Sequence, residues 1–84
     1  MKNEIQFIVP ARKYFEADAE RLEQTKDSDI CIVTIDFKNQ KADYIWYNPD
    51  AVSEIDRNPA NHPAIEDDFE GVVKLWEELG KPLV

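Results

Sequence analysis

Residues 30–37, ICIVTIDF, constrain the fold more than any other segment of this sequence, because they place apolar side chains at both odd and even positions. Four of them are β-branched aliphatics, which favours a strand: Ile30, Ile32, Val33 and Ile35. Successive side chains on a strand point to opposite faces of the sheet. This strand is therefore predicted to be covered on both faces, either by two layers of the same chain or by one layer and a partner.

The pattern of apolar residues predicts the neighbouring elements. Residues 4–9 alternate as a short strand that ends at Pro10, since proline has no N–H for the ladder. Helical periodicity over residues 11–27 predicts an amphipathic helix. The polar loop 38–41 then leads into a third strand over residues 42–47, as in a hairpin. A helical turn or two through Val52 and Ile55 is broken by the proline- and asparagine-rich stretch 57–63.

An apolar stripe near the C-terminus predicts a second long helix. Its members recur at helical spacing: Ile65, Phe69, Val72, Trp76 and Leu79. Asn61 or His62 can cap this helix, and Pro63 fits its first turn. Gly80, followed by Pro82, is a common stop signal.

The predicted order is β-α-β-β-(short α)-α, in a single domain over residues 1–84. This order predicts an α+β fold in which a three-stranded mixed sheet packs with two long helices. The first two strands, if adjacent, are expected to be parallel with a right-handed crossover, and the second and third antiparallel. If both helices cover one face of the sheet, the other face becomes an interface, with a second copy as the expected occupant.

Composition excludes several classes of protein. A chain that is 43% hydrophobic and 11% aromatic does not resemble a disordered tail. No stretch approaches the roughly 18 apolar residues of a membrane span, and no secretory apolar run follows the N-terminal residues. The single cysteine, Cys31, excludes an internal disulfide and a cysteine-rich zinc module. We therefore expect a cytoplasmic protein that contacts no membrane and needs no cofactor.

Charge is the strongest functional signal in the sequence. The net charge is −8, and residues 43–84 hold ten acids against three bases, a net of −7. Such a field repels phosphate backbones, which disfavours direct nucleic-acid binding. It attracts a basic protein surface and accelerates encounter with it. A merely well-solvated acidic surface is the alternative interpretation.

Carboxylates flank the stripe of the last predicted helix and are the candidate contacts with a basic partner. Glu66, Glu70 and Glu77 project onto one narrow strip of that helix. The predicted partner-binding residues add other acids of the second half and two aromatic anchors of the third strand: Asp67, Glu78, Glu54, Asp56, Trp46 and Tyr47. Core packing is the competing role for Trp46.

These residues predict a non-catalytic acidic module, an inhibitor or regulator that occludes a basic surface of its partner. A nucleic-acid-handling enzyme or a basic toxin fits that description, and aligned carboxylates could mimic phosphates. A self-associating structural subunit, a homodimer through the exposed sheet face, is the first alternative. A small enzyme using His62 with Asp18 or Asp68 is the second.

Catalytic and metal sites find little support in the sequence. His62, the only histidine, fits a loop or cap, and no serine or cysteine stands in a recognisable nucleophile motif. The acidic run 66–70 would scatter its carboxylates around a helix, so no metal site is predicted. Asp18 falls on the apolar stripe of the first helix, and pairing with Arg21 is its expected role.

Overall fold

The computed structural model describes residues 3–83, and its central element is one antiparallel sheet. Its four strands lie in the order of the chain: β1 (Glu4–Pro10), β2 (Ile30–Asp36), β3 (Lys41–Tyr47) and β4 (Ile65–Asp67). Every neighbouring pair is antiparallel. β1 and β4 are therefore the edges of the sheet, and β2 and β3 lie at its centre.

The helices are short, and the first and the last of them pack against one face of this sheet. They are α1 (Ala11–Tyr14), α2 (Ala19–Gln24), α3 (Glu54–Arg57) and α4 (Phe69–Glu78), and a 3₁₀ turn (Pro59–Asn61) follows α3. The α+β class is confirmed. The prediction of three strands and two long helices is wrong in detail, in three places.

The first correction concerns the direction of β1 and β2, which were predicted to be parallel. A parallel β2 would start beside Glu4, so the connection would have to return along the whole of β1, about 23 Å at ~3.3 Å per residue. Instead, β2 starts opposite Pro10, at the end where β1 finishes. The Ala11 N–H donates to the Asp29 carbonyl over 2.9 Å, so the two ends of the connecting segment lie side by side.

The second correction concerns residues 11–27, which form two short helices rather than one long one. α1 closes at Phe15, and Asp18 then adopts an extended conformation and caps α2 by accepting from the Arg21 N–H over 3.1 Å. Aspartate competes for nearby amides in this way, which favours caps over helix interiors. The expected Asp18–Arg21 ion pair is present at 3.7 Å, so the anomalous position of Asp18 marks a helix start.

The third correction concerns the last helix, which begins at Phe69 rather than near Pro63. Asp68 caps it and accepts from the Gly71 N–H over 3.0 Å. The preceding residues form β4 instead, in register with β3, so that Ile65 lies opposite Tyr44. Glu66 therefore lies on a strand, and its predicted helical alignment with Glu70 and Glu77 does not exist.

The hydrophobic core lies between the helices and one face of the sheet, called here the covered face. Its buried side chains come from β1, β2, β3, α1 and α4, together with Phe15 between α1 and α2: Phe7, Val9, Ala11, Phe15, Cys31, Val33, Ile35, Ala42, Tyr44 and Val72. Phe15 meets the rings of Tyr44 and Trp46 edge-on, at centroid distances of 5.4 and 4.9 Å. These rings bring α1 onto the sheet.

Candidate protein interface

The opposite face of the sheet, called here the open face, has no α-helix packed on it within residues 3–83. Strand register assigns its members, since directly opposed residues share a face. Two of its cross-strand rows are apolar, and they form the apolar half: Ile8–Ile32–Ile45 and Pro10–Ile30–Tyr47. The other two rows form the acidic half: Gln6–Thr34–Asp43–Glu66 and Glu4–Asp36–Lys41.

The apolar half leaves branched side chains in contact with solvent. Ile8 is 50% exposed, and Ile30, Ile32 and Ile45 are only half-buried. None of them belongs to the buried core. The 3₁₀ turn reaches the apolar half at one corner, where the His62 and Tyr47 ring centroids lie 6.3 Å apart. The sequence predicted cover on both faces of β2, and within the described chain that cover exists on one face.

Like charges crowd the acidic half. Partial burial, reinforced by the neighbouring carboxylates of Glu4 and Glu66, raises the pKa of Asp43. Among the ion pairs of residues 3–83, none includes Glu4, Asp43 or Glu66. A basic side chain from a partner would relieve this repulsion, because an opposite charge favours the ionised carboxylate.

The predicted partner-binding residues are divided among three parts of the molecule. Glu66 and Tyr47 lie on the open face, and Glu54 and Asp56 lie exposed on α3. The remaining acids lie on the helical side of the sheet: Glu70, Glu77 and Glu78, exposed on α4, and Asp67, on β4. The nine residues therefore do not form one surface.

Two of these residues are occupied by contacts within the chain. The indole N–H of Trp46 donates to Asp29 Oδ2 over 2.9 Å, and its ring packs against the core. Core packing, the competing role for Trp46, is therefore the one it has. Asp67 accepts a 2.7 Å hydrogen bond from the Tyr14 hydroxyl. Tyr47 remains the aromatic candidate for partner contact.

A groove of about 590 Å³ lies on the helical side, between α1 and α4. The hydrogen-bonded pair Tyr14 and Asp67 lines it, and Lys13, Lys74 and Glu78 lie around it. Burial and the bond to Asp67 raise the pKa of the Tyr14 hydroxyl, so that group stays protonated. The groove mixes both signs of charge, and its central polar groups already satisfy one another.

The residues considered for catalysis are each engaged elsewhere. His62 Nε2 lies 3.0 Å from the Asp56 carbonyl oxygen. Asp18 and Asp68, the carboxylates expected to assist it, both cap helices. No group of three or more His, Cys, Asp or Glu side chains within the described residues could hold a metal ion.

The open-face residues that sequence reasoning missed are Ile8, Ile32, Ile45, Glu4 and Asp43. Ile8 carried a usable signal, since it is apolar at a position where the alternation of residues 4–9 calls for a polar side chain. Ile32 belongs to the strand that is apolar at both parities. Glu4 and Asp43 carried no signal, because their proximity depends on the register of three strands.

Comparison with known proteins gives no match: no family model, curated protein or solved structure is significantly similar to this chain. None of the helices in the part that the structure describes has the length and apolar character required to cross a membrane.

Proposed function

We propose that this chain is a non-catalytic protein-binding module that regulates or inhibits a basic partner by docking through the open face. The observation that carries the proposal is the apolar row Ile8–Ile32–Ile45 lying next to the acidic row that contains Asp43 and Glu66. An apolar centre beside a charged rim is the usual composition of a protein interface.

Charge favours a basic partner over a second copy of the chain. Each copy carries a net charge of −8, so self-association would bring two acidic halves toward each other. A partner with lysines or arginines around an aliphatic centre would satisfy both halves at once. The net charge would steer its approach, and burial of the isoleucines would hold the complex.

Phosphate mimicry is not part of this proposal. Its basis was a row of helical carboxylates, and Glu66 lies on β4, apart from Glu70 and Glu77 on α4. The mechanism proposed here is occlusion: the sheet covers a basic surface of the partner, such as that of a nucleic-acid-handling protein or of a toxin, and blocks access to it.

The test compares capture of partners by the wild-type chain and by two lysine variants. Ile45→Lys places a charge at the centre of the open face, while Gln24→Lys adds the same charge to exposed α2, on the helical side. A basic protein is expected to bind the wild type and Gln24→Lys. With purified components, Ile45→Lys should weaken its binding by about thirtyfold, as for a hot-spot residue worth about 2 kcal/mol.

Two results would contradict this proposal. One is a partner whose affinity is the same for Ile45→Lys and for Gln24→Lys. The other is a concentration-dependent dimer that persists at high salt and disappears in Ile45→Lys, which would assign the open face to a second copy. Near-ultraviolet circular dichroism of Trp46 and Trp76 confirms that each variant is folded.

A further inference from the structure

The outer edge of β1 offers unpaired backbone groups beside the open face. The Phe37 N–H donates to the Asn3 carbonyl over 2.8 Å, and the Ala11 N–H donates to the Asp29 carbonyl over 2.9 Å. These bonds fix which residues of β1 point their backbone toward β2, since hydrogen-bonded pairs alternate along an antiparallel ladder. Ile5, Phe7 and Val9 point inward, and Glu4, Gln6 and Ile8 point outward.

Nothing within residues 3–83 pairs with this outward edge. β1 is terminal in the sheet, and the side chains of Glu4, Gln6 and Ile8 are all exposed. Natural proteins usually protect such an edge with bulges, charges or a covering segment. Here Pro10 ends the edge and Glu4 charges it, while the Gln6 and Ile8 amides between them are left for an added strand.

The size of the open face gives the edge a role in binding. β1, β2 and β3 present a plane about 23 Å long and about 15 Å wide at ordinary strand spacing, roughly 350 Å². A stable interface buries roughly 800 Å² of accessible surface on each partner. Even with the relief of the side chains, a stable complex therefore needs contact beyond this face, and the edge of β1 is continuous with it.

We propose that the free edge of β1 takes up an extended, basic segment of the partner as an added strand of the sheet. This inference rests on the proposed function and names the form in which the partner binds. The added strand would bond to the outward amides and carbonyls of Gln6 and Ile8. Its alternate side chains would extend the open face, with a lysine or arginine beside Glu4 and an aliphatic residue beside Ile8.

Amide hydrogen exchange tests this placement in the wild-type chain. In the free protein the Gln6 and Ile8 amides should exchange fast, while the Phe7 amide, bonded to β2, should exchange slowly. The probe is a synthetic peptide in which a Lys or Arg and a Val or Ile stand four residues apart, so that both lie on the same face of the added strand. Its binding should slow exchange at Gln6 and Ile8, with Phe7 as an internal control.

A backbone substitution provides the second measurement. Gln6→Pro removes an outward N–H and leaves the ladder with β2 intact, and Gln6→Ala deletes the side chain but keeps the amide. Because both variants lack the glutamine side chain, peptide affinity should be about tenfold weaker in Gln6→Pro than in Gln6→Ala, the equivalent of one hydrogen bond of about 1.4 kcal/mol. If Gln6→Pro unfolds the chain, N-methylation of the Gln6 amide, introduced by chemical ligation at Cys31, replaces it.

Each contrary outcome is separable from failure of the proposed function. If the peptide binds without protecting Gln6 and Ile8, or binds Gln6→Pro normally while Ile45→Lys abolishes binding, the edge is not used and the open face still is. If no basic peptide binds, the inference fails, and the proposed function is then tested only by the capture experiment with Ile45→Lys and Gln24→Lys. If the free chain dimerises with protected Gln6 and Ile8 amides, a second copy occupies the edge, and the inference fails.

Discussion

At the scale of single residues, Asp29 shows how a buried carboxylate can serve structure alone. Its Oδ2 atom accepts from the Trp46 indole and the Lys26 N–H over 2.9 and 3.0 Å, and its Oδ1 accepts from the Asn48 amide over 2.8 Å. These bonds join the start of β2 to the end of β3. In the sequence, Asp29 reads only as a turn residue, because two of its three partners lie far downstream.

We expect Asp29→Ala to lower the free energy of unfolding by about 3 kcal/mol, because three partly buried donors lose a charged acceptor. Urea denaturation followed by tryptophan fluorescence measures the change. The matched control is Asp27→Ala, whose fully exposed carboxylate lies 3.8 Å from Arg12 and should leave stability nearly unchanged. Similar small losses in both variants would contradict the structural role of Asp29.

A second residue, Asp43, should lower the stability of the free chain and strengthen binding of the basic partner. Its pKa is raised in the folded chain, so ionising it costs stability as the pH rises above the pKa of the unfolded chain, about 4. Asp43→Asn should therefore be more stable than the wild type at pH 7. That difference should vanish near pH 3, where both side chains are neutral.

Urea titrations at the two pH values measure this effect, and Asp50→Asn, an exposed residue outside the sheet, is the control. Asp43→Asn should also bind the basic partner more weakly than the wild type, because it removes an acid of the open face. If Asp43→Asn is stabilised at pH 3 as much as at pH 7, the cause is not electrostatic.

At the scale of elements, the limits of sequence reasoning follow from caps and from strand register. The strands β2 and β3 were predicted to within about one residue, because alternation and a polar loop define a hairpin locally. The helix break at Asp18 was missed, since apolar periodicity continues across it. β4 was missed because Ile65 matches the helical spacing by coincidence, and only pairing with Tyr44 makes it a strand.

The cap at Asp18 gives a prediction at this scale. Asp18→Ala should destabilise the chain by about 1 kcal/mol, because the Arg21 N–H loses its acceptor and α2 its start. Asp18→Asn keeps an acceptor oxygen and should recover most of this loss, which separates the cap from the ion pair with Arg21. Chemical denaturation of the two variants measures both changes. Equal losses in the two variants would instead make the ion pair the dominant contribution.

At the scale of the whole molecule, topology was the least predictable property. β2 would be parallel to β1 only if the connecting segment returned along the whole length of β1. The two short helices of this segment do not make that return, so the strands are antiparallel. The candidate interface follows from the same fact, because α1 and α4 pack on one face of the sheet and leave the other uncovered. The sequence predicted this arrangement as one possibility, in which both helices cover one face of the sheet and the other face becomes an interface.

Net charge gives a prediction for the whole molecule. With a charge of −8 and only exposed ion pairs among residues 3–83, self-repulsion should weaken the fold at neutral pH. Raising the salt from about 0.01 to about 0.1 M shortens the screening length from about 30 to about 10 Å and should increase the free energy of unfolding. Near the isoelectric point of about 4.5 the increase should disappear.

Urea titrations in potassium chloride measure this dependence, and sucrose of matched osmolality controls for effects other than screening. A free energy of unfolding that falls with salt at neutral pH would mean that attractive pairs dominate the surface.

The burial of Cys31 on β2 makes this thiol a reporter of sheet opening. Its side chain is fully enclosed, and burial raises its pKa to about 12, so the thiolate that reacts with alkylating reagents is scarce in the closed sheet at neutral pH. Alkylation therefore proceeds through molecules in which the covered face has opened, by departure of the helices or by separation of the strands, and its rate follows the population of that open form. A ligand that holds the strands together would slow the labelling of an atom it never touches.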